Sequence, residues 1–134
     1  SVVSIDGKQL EDAQKIIDNN SISFIVTNEK NNSQTHNCVI DLGAPQKMSG
    51  FSYLARQDGK KEAIIFEYEF YISKNGEDWG KPIVEGTFSN IENNPNKRHI
   101  NFSKSVEGQF IKLISKSTVR QDGSASYAEI EIFN

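Results

Sequence analysis

The segment 64–79, with the sequence IIFEYEFYISKNGEDW, constrains the fold of this chain more than any other part. Apolar residues alternate in it with polar ones, which is the period of a β-strand with one buried face. The inward set is predicted to be Phe66, Tyr68, Phe70 and Ile72, and the outward set Glu67, Glu69, Tyr71 and Ser73. Asn75-Gly76 supplies the positive φ angles of a tight hairpin turn, and Trp79 begins the return.

The composition favours a single all-β domain over residues 1–134. Ile, Val, Phe and Tyr supply much of the apolar content, and a chain of 134 residues can bury a core without disulfides. A net charge of −3 without a dense Lys/Arg patch argues against a nucleic-acid partner. No apolar run approaches membrane-spanning length and no signal peptide remains, so we expect a mature domain of a longer protein.

Short strands separated by polar turns are predicted along the rest of the chain. They cover residues 2–3, 23–27, 37–42, 47–55, 82–88, 98–102, 109–115 and 127–133. Gly50 marks a bulge, and in the last strand Glu129 and Glu131 are expected to face outward. Residues 7–18 form the one helix-like segment, with Asp6 available as its cap. This pattern indicates a two-sheet β-sandwich.

No catalytic constellation is apparent in the sequence. It lacks a glycine-rich phosphate loop, a nucleophile elbow and a metalloprotease helix. Cys38 alternates with Ile40 and Leu42, which indicates a small core residue rather than a nucleophile. Glu67 and Glu69 share one strand face, whereas the carboxylates of a glycosidase face each other across a cleft. We therefore expect a non-catalytic domain whose functional surface is formed by loops at one end of the sandwich.

Several segments resemble, in order, the coagulation factor 5/8 type C (discoidin-like) domain. Within that group they are most similar to the family 32 carbohydrate-binding modules of bacterial glycoside hydrolases. The segments are 41–43, 50–59, 67–73, Asn75-Gly76 with Trp79, 108–113 and 128–132. The resemblance implies an eight-stranded antiparallel jelly-roll β-sandwich, galactose-binding-domain-like, with one short helical turn near the N-terminus.

The resemblance also implies a shallow sugar site at the loop edge. In such a site an aromatic ring stacks on the pyranose and planar polar groups bind its hydroxyls. The candidate contacts are Arg56, Gln57, His36, Arg120 and Tyr127. Where the family often carries a Trp-His pair this chain has Ile25-Val26, and no tryptophan is present in the last loop, 123–126.

A structural calcium ion is common in domains of this kind, and the resemblance implies its ligands here. Asp18 and Ser23 match the side-chain ligand positions, and Glu129 matches the closing glutamate. Oxygen ligands suit a hard cation. Asn19 stands where the family has glycine, and the alternative is that Asp18 caps a helix end or turn.

The implied function is that of a non-catalytic module of a secreted or periplasmic bacterial glycoside hydrolase, for example a hexosaminidase/chitobiase-like or fucosidase-like enzyme. The module would hold that enzyme near glycans containing galactose, N-acetylhexosamine or similar sugars. The alternative is a structural or protein-interaction domain that has lost the sugar site and braces a neighbouring catalytic domain. Lipid binding, as in the clotting-factor relatives, needs exposed hydrophobic loops, whereas loops 28–37 and 89–96 are polar.

Overall fold

The computed structural model describes residues 2–7, 11–18, 23–27, 35–121 and 123–134. Its strands are β1 Val2–Ile5, β2 Ile25–Val26, β3 His36–Leu54, β4 Ile65–Ser73, β5 Val84–Thr87, β6 Arg98–Thr118, β7 Ser126–Tyr127 and β8 Glu129–Phe133. A 3₁₀ helix, Glu11–Ile17, lies near the N-terminus. The all-β class with one short helical element is therefore confirmed. No helix within the described residues has the length and apolar character needed to cross a membrane.

β3 and β6 are much longer than predicted. They pair antiparallel from His36 opposite Ser115 to Tyr53 opposite Arg98. The sequence predicted each of them as two strands, 37–42 with 47–55 and 98–102 with 109–115, and this was wrong. The ladder is irregular between Asp41 and Gln46, so the chain bends there and then resumes its pairing.

The bends in β3 and β6 create the two layers of the sandwich. In one layer the first half of β3 lies between β1 and the second half of β6, and β4 and β5 complete the sheet. In the other layer the second half of β3 lies between β8 and the first half of β6. Phe51 of the second layer stacks on Phe70 of the first, with ring centroids 4.1 Å apart and planes 3° apart. Both rings are fully buried.

β4 is confirmed as the central strand, with one error in its inward face. Tyr68, Phe70 and Ile72 are buried as predicted. Phe66 was predicted to face the core but is 37% exposed, because the pairing with β6 shifts by one residue at this position. Ser73, predicted to face outward, is buried, and its Oγ accepts hydrogen bonds from the backbone of the following turn.

The turn after β4 is looser than the predicted tight hairpin. Gly76 has a φ of 78°, and the side-chain carbonyl of Asn75 accepts hydrogen bonds from the backbone amides of Glu77 and Asp78. However, β5 begins only at Val84, so Trp79 lies in the connecting loop rather than in a return strand. A positive φ at Gly76 alone does not form the two-residue turn that the Asn-Gly pair predicted.

The C-terminal segment was predicted as one strand but forms two. β7 pairs with β2, whereas β8 pairs with the second half of β3. Glu129 was predicted to face outward and is only 4% exposed. The 3₁₀ helix packs against β8, which explains why this face of the strand is covered.

Candidate functional site

One end of the sandwich gathers three loops that contain most of the predicted sugar contacts. Loop 55–64 joins β3 to β4, loop 88–97 joins β5 to β6, and loop 119–125 joins β6 to β7. The amide of Val119 donates to the carbonyl of Ile64 at 2.9 Å, which ties the third loop to the first. This hydrogen bond gives the first and third loops a defined relative arrangement.

Arg56 is held rigidly at this end by Asp58. Its Nε and Nη2 donate to the two carboxylate oxygens of Asp58 at 2.9 and 2.8 Å. The guanidinium carbon lies 5.1 Å from the centre of the Phe24 ring. The hydrogen bonds from Arg56 lower the pKa of Asp58, so both groups are ionised near neutral pH. Nη1 of Arg56 also donates to the carbonyl of Glu62 at 3.4 Å, and the Arg56 side chain is only 11% exposed, so Asp58, at 28%, is the more accessible half of the pair.

Gln57 has a role in holding the loops together. Its Nε2 donates to the carbonyl of Ala55 at 3.0 Å and to the carbonyl of Pro95 at 2.9 Å. The second bond connects loop 55–64 to loop 88–97. The amide nitrogen of Gln57 is therefore already engaged with the protein backbone.

His36 and Tyr127 lie inside the protein, which contradicts their prediction as contacts at the loop edge. His36 is 1% exposed, with Nδ1 2.6 Å from Oδ2 of Asp6 and Nε2 2.7 Å from the carbonyl of Gly123. Tyr127 is fully buried in β7, and burial raises the pKa of its phenol well above the ordinary value. Neither side chain offers the accessible surface that a ligand contact needs.

Asp6 was expected to cap the helix, but its carboxylate has another role. Its Oδ1 accepts a hydrogen bond from the amide of Asn37 at 2.8 Å, while Oδ2 contacts His36. The 3₁₀ helix begins at Glu11, beyond the reach of a capping side chain at this position. The carboxylate thus fastens the end of β1 to the start of β3.

Arg120 is accessible at the surface, as a ligand contact requires. Its side chain is 53% exposed, and Nη2 lies 2.6 Å from Oε1 of Glu92. Nζ of Lys61 donates to the backbone carbonyl of Glu92 at 2.6 Å, so the three loops meet at this residue. Arg120 and Glu92 form the more exposed of the two pairs of donor and acceptor at this end.

A groove beside this loop end was not predicted from the sequence. It has a volume of about 750 Å³ and is lined by residues from β4, loop 88–97 and the end of β6 with the residues after it. Phe66 lines it and is the only large hydrophobic side chain classed as exposed in the described part of the chain. One signal was available, because Ile64, Ile65 and Phe66 are consecutive and a strict alternation cannot bury all three.

The predicted calcium ligands lie near the end of the 3₁₀ helix. Oγ of Ser23 donates to Oδ2 of Asp18 at 2.6 Å. Residues 19–22, which include Asn19, lie outside the described part of the chain. Glu129 is buried on β8, which packs against the helix that precedes Asp18. Within the described residues no cluster of three or more His, Cys, Asp or Glu could hold a metal. Carboxylate and hydroxyl oxygens are the ligand types that a hard cation prefers, so the calcium site stays a prediction.

Comparison with protein families and curated proteins assigns most of the chain to one type of domain. The sequence profile of the F5/8 type C domain matches residues 2–130. Galactose oxidase from Gibberella zeae is 28% identical over 133 residues, which covers 91% of this chain and 18% of that protein. The chain therefore spans less than a fifth of the length of this relative.

Solved structures with the same fold include two modules from Clostridium perfringens. One is CpGH89CBM32-5 in complex with GalNAc-β-1,3-galactose, with a TM-score of 0.80, 23% identity and coverage of 98% of this chain and 94% of that chain. The other is CBM32-3 from a family 31 glycoside hydrolase, with a TM-score of 0.85, 17% identity and coverage of 100% and 90%. At these identities the likeness establishes the fold.

Proposed function

Because this chain belongs to the F5/8 type C domain family, we propose that it is a non-catalytic carbohydrate-binding module. The ordered sequence segments had indicated the same family. The observation that carries the proposal is its likeness, over almost the full length of both chains, to a module solved with a galactose-containing disaccharide. We propose glycans containing galactose or N-acetylhexosamine as the ligands. The whole chain, residues 1–134, would act as one module.

The proposed contacts are two ion pairs at the loop end, of which the Arg120–Glu92 pair is the more exposed, whereas the Arg56 side chain is only 11% exposed. Arg56 with Asp58 and Arg120 with Glu92 each combine a planar donor with a carboxylate acceptor. Such a pair can bind neighbouring sugar hydroxyls, because one hydroxyl accepts from the guanidinium while the next donates to the carboxylate. A shallow site of this kind binds weakly, with Kd on the order of millimolar to tens of micromolar, so that avidity matters.

We propose that the module belongs to a secreted or periplasmic bacterial glycoside hydrolase. The small share of its curated relative that the chain covers supports a place within a longer protein. The origin of one similar module in a family 31 glycoside hydrolase of Clostridium perfringens supports the kind of enzyme. The module would keep that enzyme close to its glycan. The calcium ion proposed between Asp18, Ser23 and Glu129 would neutralise buried carboxylate charge and join the 3₁₀ helix to β8.

A bracing domain without a sugar site is the second candidate function. The burial of His36 and Tyr127 favours it, because two of the residues expected to contact a sugar are structural here. The replacement of the family's Trp-His pair by Ile25-Val26 points in the same direction. In that case the loop end would contact a neighbouring domain of the same protein.

A glycan-array screen separates the two functions. The wild type should bind a group of galactose- or N-acetylhexosamine-containing glycans, and Arg56→Ala should lose that binding while Lys104→Ala keeps it. Lys104 is the matched control because it is an exposed cation on the bend of β6, at the opposite end of the sandwich. Equal binding by Arg56→Ala would remove Arg56 from the site, and an absence of wild-type binding to every glycan would favour the bracing domain.

A further inference from the structure

We propose that the groove beside Phe66 is a second carbohydrate-binding site, which takes an uncharged oligosaccharide by stacking one of its sugar rings on Phe66. The inference rests on the proposed function, since it assumes that the module meets glycans. The groove lining does not include Arg56 or Asp58, and it adjoins the Arg120–Glu92 pair through Glu92. Phe66, loop 88–97 and the end of β6 form this groove.

The exposure of Phe66 is built into the strand pairing. Ile65 lies opposite Thr118 and Glu67 lies opposite Ser117, so Phe66 is an extra residue of β4 without a partner in the ladder. A bulge of this kind re-aims a side chain and is over-represented beside functional sites. Ile65 and Tyr68 are three positions apart and both buried, which strict alternation would not permit. The bulge therefore buries both of them and turns the aromatic ring of Phe66 to the surface.

The wall of the groove opposite the strands carries planar amide side chains in a fixed turn. The amide of Asn94 donates to the carbonyl of Asn90 at 3.0 Å, and Nδ2 of Asn93 donates to Oδ1 of Asn90 at 3.2 Å. Ile91 is buried beneath this turn and anchors it to the core. Gln121, three residues after the end of β6, also lines the groove and adds a further carboxamide. An aromatic face beside amides that both donate and accept suits a pyranose, which has apolar C–H faces and hydroxyl edges.

The charges around the groove favour an uncharged ligand. Nζ of Lys116 lies 3.8 Å from a carboxylate oxygen of Glu67 and 3.5 Å from one of Glu69. Glu92 is paired in the same way with Arg120. The cations at the groove thus face carboxylates of this chain, and an anionic sugar such as a uronate would meet those carboxylates at close range.

The dimensions of the groove suit more than one sugar ring. Its volume of about 750 Å³ lies within the range of small-molecule sites in proteins. A second cavity of about 190 Å³ shares Glu67 and Lys116 with it and continues to Glu85 and Thr87 on β5. The surface therefore extends across the strands, which favours a linear oligosaccharide over a single terminal sugar.

Amide chemical shifts of the ¹⁵N-labelled chain test this proposal residue by residue. The probes are lactose and N,N′-diacetylchitobiose as uncharged oligosaccharides and trigalacturonic acid as an anionic one. We expect an uncharged probe to shift the amides of Asn90, Asn93 and Gln121. Phe66→Leu, which keeps an apolar side chain but removes the ring, should weaken binding at these amides about tenfold, the equivalent of ~1.4 kcal/mol. Phe66→Tyr should retain binding, and Lys104→Ala, the exposed cation at the opposite end of the sandwich, should leave the shifts of the groove amides unchanged.

The outcomes of this experiment distinguish a failure of the groove proposal from a failure of the proposed function. If the amides of loop 55–64 shift and those of the groove do not, the groove proposal fails and the proposed function stands. If trigalacturonic acid binds the groove more tightly than the uncharged probes do, the proposal that the ligand is uncharged is overturned. Equal binding by wild type and Phe66→Leu overturns the role of the ring. An absence of shifts anywhere, with these probes and with the glycans of the array, overturns both proposals.

Discussion

Phe66 on β4 and Lys116 on β6 are both unmatched residues of one antiparallel ladder. The register shifts once before Glu67 and again after it, so each strand carries one extra residue and the pairing is restored at Tyr68 and Ser115. The two insertions compensate each other and leave the remainder of β4 in its core-facing register. The two shifts bring an aromatic ring and a lysine to one groove, while Tyr68 and Phe70 remain buried in the core.

The stability cost of removing Phe66 should be small compared with that of removing Phe70. Phe66→Ala is expected to lower the free energy of unfolding by about 1 kcal/mol or less, because the ring is partly exposed. Phe70→Ala should cost about 3–5 kcal/mol, since it leaves a cavity beneath Phe51. Urea denaturation of both variants measures the difference. Equal losses would mean that Phe66 belongs to the core.

The thiol of Cys38 should be unreactive in the native protein. Burial, with a smaller effect from the charge of Asp6, raises the pKa of this thiol far above its ordinary value. The reactive thiolate is therefore scarce as well as inaccessible. With 5,5′-dithiobis(2-nitrobenzoate) at pH 8 we expect one thiol per chain to react in urea and none on the same timescale without it. Rapid labelling of the folded chain would place Cys38 at the surface.

The carboxyl group of Asp58 should titrate below the ordinary value of 3.8 because of Arg56. A pKa that is lower in the folded state gives stability that is fully present above the unfolded value and is lost as the pH falls through the folded value. In Arg56→Ala the Asp58 midpoint, followed by carboxyl ¹³C shifts, should move up toward 3.8. Asp41 is the internal control, because a hydrogen bond from Gln109 lowers its pKa and this bond does not involve Arg56. An unchanged Asp58 midpoint in the variant would contradict the pairing.

Calcium should stabilise the chain through Asp18, Ser23 and Glu129. At a hundredfold excess over Kd, a ligand that binds only the folded state adds about 2.7 kcal/mol to the free energy of unfolding. Thermal unfolding in calcium and in EDTA should show this gain for the wild type and not for Asp18→Asn. Magnesium, which prefers a smaller octahedral site, serves as the control ion. Equal melting temperatures in calcium and EDTA would rule out the proposed ion.

The alternation of apolar residues predicted the parts of the fold that depend on local pattern. Tyr68 and Phe70 face the core because side chains alternate between the two faces of a strand, and this alternation can be read from the local sequence alone. The continuity of β3 through Pro45 was missed, because Gly43-Ala44-Pro45 was expected to stop the strand, and such a segment looks the same in sequence whether a strand ends or bends. Whether it bends depends on the pairing with Gly108 and its neighbours, which are distant in the sequence.

The site residues were harder to predict because their environments come from distant segments. His36 lies beside polar loop residues, yet its two partners, Asp6 and Gly123, are 30 and 87 positions away. No local pattern distinguishes such a histidine from one at a ligand site. Phe66 was misplaced for the same reason, because the bulge that exposes it depends on the pairing of β4 with Ser117 and Thr118, which are far away in the chain.

Calorimetric titration of the wild-type chain with galactose and N-acetylgalactosamine tests the central claim, carbohydrate binding, most directly. We expect saturable binding with Kd on the order of millimolar to tens of micromolar, weakened at least about tenfold in Arg56→Ala and unchanged in Lys104→Ala. The absence of saturable binding to either sugar, and to every glycan of the array, would contradict the claim.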